Sequence, residues 1–491
     1  MESSVYLLTI TFLAIILLLI LVIRFNLHAF IALLVASIAV GVGTGMPVLD
    51  IFKSIQDGMG SVLGFVAVIV GLGAIFGQLM EASGGAEVMA HRLLRWFGEK
   101  KAPWALTLTG FIISIPIFLD IGFIMLVTIV YALARRTGKS TLYYAIPLLA
   151  GLGVTHTFVP PTPGPVAVAE ILNVPLGWVI FFGVAIGIPV AIIAGPIFGR
   201  FISKRIMTYP PPLEDALEGT AVNQGSASGD GTGAEQGSAS VIGTMGMPGP
   251  AATAPSGKPP SFTAVILLIL LPLLLIMTGT VADILAKDAM INGDAFWVKA
   301  ILFLGHPFAA LLLATLGAVY FFGNRMGYSS REVLEIANKS LAPAGLIILV
   351  TGAGGMFKEI LIDSGVGTAL AETMTSMNVP MIVLAYLLAL IIRVTQGSAT
   401  VAMITAAGMV APALELMALP DMQNALVVIA IAAGATTLSH VNDSGFWLVN
   451  RYLYMTEKET LKSWSMMETI ISVCGFLLTV LVSFLISGGL I

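Results

Sequence analysis

A single cysteine, Cys474, serves the whole chain of 491 residues, which excludes a disulfide framework and a cysteine-rich metal or redox centre. It sits inside an apolar segment, the place of an inert packing residue. Charge is equally scarce: 10% of residues are Asp, Glu, Lys or Arg, against about a quarter in an ordinary soluble domain. The net charge of -4 is scattered through loops rather than gathered into a basic or acidic patch, so nucleic acid is not a partner to expect. The apolar body lacks a phosphate-binding glycine loop, zinc-ligand spacing and a serine-hydrolase elbow. ATP-driven pumping, catalytic residues, metal ligands and cofactors are therefore not expected.

What the chain has in abundance is apolar length. Hydrophobic residues make up 57% of it, and its mean hydropathy is +0.99. Several runs reach the roughly 20 residues that cross a bilayer core of about 30 Å. Crossings are expected near residues 4–23, 27–46, 61–81, 143–169 and 176–202, then 262–284, 298–322, 341–362, 424–450 and 466–490. The first run follows Glu2 rather than basic residues and shows no small-residue cleavage site, so it reads as a retained helix.

Two further blocks, 104–134 and 379–414, are too long for one ordinary crossing, and each is interrupted near its middle, by PIFLDIGF from Pro116 and RVTQGSAT from Arg393. Arms of about 15 residues reach only about 22 Å, which favours re-entrant hairpins over two full crossings each. Of the 23 Lys and Arg residues, 18 fall on one side of this arrangement, including Lys100, Arg136 and Arg325. Lys53, Lys287, Lys299 and Lys358 fall on the other, and Arg393 lies within a hairpin. The basic side is the cytoplasmic one, which puts both termini outside.

Residues 1–207 and 262–491 read as two repeats joined by a Gly/Ser/Ala/Pro-rich cytoplasmic linker, 208–261, with the composition of a disordered segment. Aligning Val70–Ala90 with Thr351–Ala371 pairs Gly71 with Gly352, Gly73 with Gly354, Phe76 with Phe357, Ser83 with Ser364, Gly84 with Gly365 and Ala90 with Ala371. In each half this segment precedes a hairpin, then a helix broken by polar residues (143–169 and 424–450), then a last helix. An odd number of crossings per half inverts the second half relative to the first. The expected fold class is thus an all-α polytopic membrane protein of two inverted repeats, with about ten spanning helices, two re-entrant hairpins and two broken helices.

The breaks read THTFVPPTPGP from Thr155 and TTLSHVNDSGF from Thr436. Prolines remove backbone donors and clash with a continuing helix, and unwound backbone at membrane depth survives only where protein or a water-filled cavity satisfies it. Half-helix N-termini facing two hairpin tips make a site suited to a carboxylate. Ionisable groups at such depth cost about 2.5–3.5 kcal/mol each, which marks Asp120, His156, Arg393, His440 and Asp443 as functional candidates. Asp120, Asp443, His156 and His440 are the groups able to exchange protons; Arg393 either neutralises a substrate carboxylate or pairs with an Asp to hold its hairpin. Thr155, Thr162, Thr395, Gln396, Ser398, Thr400, Ser439, Asn442 and Ser444 supply donors and acceptors for a polyol chain, with Gly122, Gly164 and Gly397 beside them. The cluster of Gly71, Gly73 and Gly77 reads as close helix packing.

These segments resemble the gluconate permease family. The resemblance rests on SGGAEVMAHRLLRWFGEKKAPWALTLTGF from Ser83, IPIFLDIGF from Ile115, GLGVTHTFVPPTPGP from Gly151, GSATVAMITAAG from Gly397 and SHVNDSGFWLVNRYLYMTEKETLKSWSMMETIIS from Ser439. It covers both halves in order and implies proton-linked uptake of gluconate or a related small hydroxy-carboxylate across a bacterial inner membrane. Idonate, D-serine and other hydroxy acids are carried within the same family, and a sodium-coupled carboxylate transporter of the same architecture is the nearest alternative. The partners it implies are the substrate, protons and the bilayer; whether copies associate as a homo-oligomer stays open.

Overall fold

Hydrocarbon offers no water to satisfy peptide groups, so an apolar chain of this kind must close its backbone hydrogen bonds within each segment. The computed structural model, which describes residues 2–25, 27–211, 259–377 and 379–488, does so with helices, and no strand occurs among the described residues. The first half runs α1 (Glu2–Ile23), α2 (Ala29–Gly43), α3 (Val48–Ala82), α4 (Gly85–Phe97), α5 (Ala102–Ile113), α6 (Leu119–Thr137), α7 (Leu142–Phe158), α8 (Pro163–Ile171), α9 (Leu176–Ile192) and α10 (Phe198–Ile202). The second half opens with α11 (Phe262–Lys287), α12 (Phe296–Gly305), α13 (Pro307–Ala318), α14 (Ser330–Asp363) and α15 (Val366–Met377). It continues with α16 (Met381–Gln396), α17 (Ala399–Met417), α18 (Asp421–Ala435), α19 (Ser444–Tyr452), α20 (Glu457–Thr460) and α21 (Met466–Ser487). Among the described residues, nine helical stretches are long and apolar enough to cross a membrane. Most of the expected linker, 212–258, lies outside the described residues.

Two expected segments differ in detail. The crossing expected at 298–322 is two helices, because Pro307 brings no N–H and starts α13 afresh, while His306 Nδ1 accepts from the Phe308 N–H at 3.3 Å. The crossing expected at 61–81 begins at Val48, since Ile51, Ser54 and Gly58 form a buried stripe that prolongs α3 beneath the exposed Asp50, Lys53 and Asp57.

Both expected hairpins are helix–turn–helix units. In the first, Ser114–Phe118 joins α5 to α6, and both arms lie against α7; in the second, Gly397 and Ser398 join α16 to α17, which pack on each other and on α18. The order long helix, short helix, hairpin, broken helix, last helix occurs in both halves, and α3 ends at Ala82 as α14 ends at Asp363. These two long helices form the central contact and run antiparallel. Ser54 donates to Asp363 Oδ2 at 2.5 Å, and farther along Gly58 backs onto Gly355 so closely that a Cβ on Gly58 would lie 2.5 Å from the Gly355 carbonyl oxygen. Of the glycine cluster, Gly71 and Gly73 face open space, whereas Gly77 packs on the Pro116 carbonyl at the first hairpin turn.

Candidate transport site

The first break follows from its prolines. Helix α7 ends at Phe158, Thr162 turns its hydroxyl back to donate to the Val159 carbonyl at 2.7 Å, and Pro163 opens α8. The unwound backbone here is buried: Val159 is 0% and Thr162 3% exposed. The second break has no proline. There α18 stops at Ala435, Leu438 takes a left-handed φ of 44°, and Asp443 caps α19 by accepting from the Gly445 N–H at 3.1 Å. Unlike the first, this break is open, with Leu438, Val441 and Asn442 exposed.

Arg393 ties the second break to the second hairpin tip. It lies in the last turn of α16, where Nη1 donates to the Gly397 carbonyl and Nη2 to Asp443 Oδ2 at 2.6 Å; its side chain is 3% exposed and that of Asp443 12%. Ser439 donates a further bond to the same Asp443 oxygen, accepts from Trp464 Nε1 at 2.6 Å and has its carbonyl held by the Ser465 hydroxyl. His440 Nε2 meets the Val394 carbonyl at 2.9 Å, and Asn442 Nδ2 donates to that carbonyl at 3.0 Å. The Val394, Gly397 and Ser439 carbonyls freed by the ending helices are thereby taken up by neighbours.

The first hairpin reaches the same place. Asp120 begins α6 with an exposed side chain, and the charge of Asp443 bears on it and on His156 of α7. The His156 ring stands edge-on to Phe118 at 6.1 Å between centroids. Beside it a narrow crevice runs between α3 at Gly73, the turn at Ile115–Phe118 and the first break at Pro161–Pro163. The first turn thus lies beside the first break, and the charge of Asp443 at the second break reaches Asp120 and His156, although 275 positions separate Gly122 from Gly397.

Several expected residues hold structure rather than free donors. Thr395 returns its hydroxyl to the Ile391 carbonyl, and Ser398 caps α17. Gly122 packs on Leu152 and Gly164 on Met403. Thr400 lies half-buried in the first turn of α17, and Ser444 opens α19 exposed. Others stay unspent: Thr155 Oγ1, His156 Nδ1, Arg393 Nε and Gln396 Oε1 are buried with no hydrogen-bond partner within the protein. Buried polar atoms are normally paired, so these four are the candidates of this region for receiving polar groups.

Sequence reasoning missed Glu468. It projects from the first turn of α21, 5% exposed, with Oε1 buried and unpartnered, and the charges of Arg393 and Asp443 both bear on it. In sequence it looked like the polar edge of the span at 466–490. The available signal was its isolation: no other acidic residue occurs between Met466 and the C-terminus.

A buried guanidinium held between a hairpin tip and an interrupted helix, inside a body of membrane-length apolar helices, is the build of a membrane transporter. The chain belongs to the GntP permease family, whose model matches residues 6–227 and 249–485. It is 41% identical to the gluconate permease of Pseudomonas aeruginosa over 98% of this chain and 99% of that protein. With the low-affinity gluconate transporter of Escherichia coli K12 it shares 39% identity, over 94% of this chain and 95% of that one. Among solved structures, the YdaH transporter of Alcanivorax borkumensis superposes with a TM-score of 0.57 at 16% identity, over 89% of this chain and 88% of that one, a likeness of fold.

Proposed function

We propose that this protein imports gluconate or a closely related hydroxy-carboxylate together with protons across a bacterial inner membrane, with Arg393 as the anchor of the substrate carboxylate. The buried Arg393 with its unpartnered Nε carries this reading, because a guanidinium whose Nε–H is unspent can take a second carboxylate beside Asp443. Gln396 and Thr155, each with a buried oxygen unspent within the protein, are the groups to serve the hydroxyls, with the exposed Asn442 at the second break beside them. The relatives that carry gluconate in their names support the substrate class. The antiparallel course of α3 and α14 supports an inverted repeat, with residues 1–207 and 262–491 as its halves.

Coupling follows from charge. Moving one anion inward against 100 mV, inside negative, costs about 2.3 kcal/mol, and a proton taken with it removes that cost. The ionisable side chains gathered at the site, Asp120, Asp443, His156 and His440 with Glu468 behind them, are the proposed path of that proton. Uptake of labelled gluconate into vesicles, driven by a pH gradient or by a sodium gradient, tests the reading. Accumulation under the pH gradient alone is expected, with competition by C4 to C6 sugar acids but not by dicarboxylates; accumulation that requires sodium would overturn proton coupling. In the same vesicles, Asp443→Asn and Asp120→Asn are each expected to lose accumulation while keeping counterflow. Parent-like accumulation by both variants would remove these carboxyls from the coupling path.

Orientation has its own test. With Cys474 replaced, a cysteine at position 100 is expected to react with an impermeant reagent only from the cytoplasmic side, and one at position 287 only from outside. Labelling of both from one side would sink the inverted arrangement.

A further inference from the structure

The ion pair leaves one carboxyl over. Arg393 spends Nη1 on the Gly397 carbonyl and Nη2 on Asp443, and Asp443 spends its other oxygen on the Gly445 N–H. Glu468 Oε1 receives none of these bonds, though the charges of Arg393 and Asp443 both reach it. Its position is also the junction of the halves. An ideal Cβ on Gly153 of α7 would lie 3.1 Å from Glu468 Oε1 and 3.7 Å from a methyl of Leu119, the neighbour of Asp120. The acid is therefore wedged between the broken helix of the first half and the Arg393 cluster of the second.

From this geometry we infer that Glu468 carries the coupling proton, on the proton-linked reading given above. Two carboxyls compete for one guanidinium. A buried carboxylate without a partner is costly, so the proton resides on Glu468 while Arg393 is paired elsewhere. When a substrate carboxylate joins Arg393, a second negative charge enters the cluster beside Asp443 and strengthens the hold on that proton; by linkage the proton strengthens the hold on substrate equally. The proton arrives from water on the side to which the site is open, forms one O–H bond to Glu468, and is returned to water from the same atom once substrate leaves on the other side. The groups that face Glu468 are few. Arg393 and Asp443 bear on it directly, α7 brings His156, α6 brings Asp120 beside Leu119, and α16 brings Tyr386, whose hydroxyl lies 3.1 Å from that of Ser472 one turn along α21. The packed faces of α9 and α18 bring no titratable side chain near it, since α9 has none and α18 has only Asp421 at its far end. Asp443→Asn also uncouples on this account, because an Arg393 released from Asp443 is free to hold Glu468 in its charged form.

The test is calorimetric titration of gluconate into the purified full-length protein in lipid nanodiscs, in buffers of differing ionisation enthalpy, so that protons taken up are counted with affinity. Above the pH at which the unliganded site gives up its proton, the parent is expected to take up a proton per gluconate and to lose affinity about tenfold per pH unit. Glu468→Gln is expected to bind gluconate with an affinity that does not vary with pH, to take up no proton, and in vesicles to exchange gluconate without concentrating it. Proton uptake by Glu468→Gln equal to the parent's would overturn the assignment while leaving proton coupling intact. A parent that takes up no proton and keeps one affinity at every pH of the titration would overturn the coupled reading itself. Should the Gln variant not reach the membrane, Glu468→Asp decides: a displaced pH profile of affinity supports the role, and the parent's profile refutes it.

Discussion

Arg393→Ala is expected to abolish gluconate uptake and to deplete folded protein in the membrane. The variant leaves Asp443 buried without its cation, and breaking a buried pair in this way costs about 3–5 kcal/mol. It also cuts the tie between the second hairpin tip and the second break, where Arg393 holds both the Gly397 carbonyl and Asp443. The double variant Arg393→Ala, Asp443→Asn removes the orphaned charge. Thermal unfolding of the purified proteins should then show much of the lost stability restored, while uptake stays absent because the anchor for the carboxylate is gone. Arg393→Lys keeps the charge as a single point without the planar fork, and reduced but measurable uptake is expected. Uptake by Arg393→Ala at the parent's rate would show that the substrate carboxylate is held elsewhere.

Gly397→Ala is expected to be nearly as severe, though it changes no charge. Gly397 ends α16 at φ +80°, where a side chain costs about 1–2 kcal/mol, and an added Cβ would sit 2.2 Å from the Asn442 carbonyl oxygen. Backbone cannot yield as a flexible side chain can. The hairpin tip must therefore withdraw from the second break, taking Arg393 with it. Gly71→Ala provides the contrast, since a Cβ there meets nothing within 4 Å and alanine favours a helix interior by about 1 kcal/mol. Uptake and thermal stability measured side by side should fall sharply for the first and hold or rise for the second. Equal behaviour of the two variants would refute the close approach of tip and break.

The architecture could be read from sequence because its signals are local. Apolar run length marked the helices, the proline run Pro160–Pro165 marked the first break, and turn-forming PIFLD and TQGSA marked the tips. Arg393 and Asp443 were singled out because charge at such depth is costly, although which Asp would pair with Arg393 depended on how the second break folds onto its hairpin. What failed to show was burial set by tertiary contact. Glu468 lies at the edge of an apolar run, where an acid ordinarily meets water, and only the packing of α21 against Gly153 makes it internal. The dual nature of the span at 298–322 was likewise hidden, because His306 and Pro307 interrupt a run whose hydropathy stays high on both sides.

The crossing of α3 and α14 also bears on the lipid around the protein. Helices of 35 and 34 residues are each about 50 Å long, well beyond a hydrocarbon core of about 30 Å. Their N-terminal turns are polar and exposed, with Asp50, Lys53 and Asp57 on α3 and Arg331, Glu332, Glu335 and Lys339 on α14, and Lys358, Glu359 and Asp363 at the end of α14 lie on the same side as the first set. Antiparallel packing sends these two charged ends out through opposite leaflets. Sliding the pair either way would draw one set of charges into hydrocarbon, at roughly 2.5–3.5 kcal/mol for each. The pair therefore fixes its own depth and meets changes in bilayer thickness by tilting, so acyl-chain length becomes a variable that acts on the whole transporter through its two longest helices.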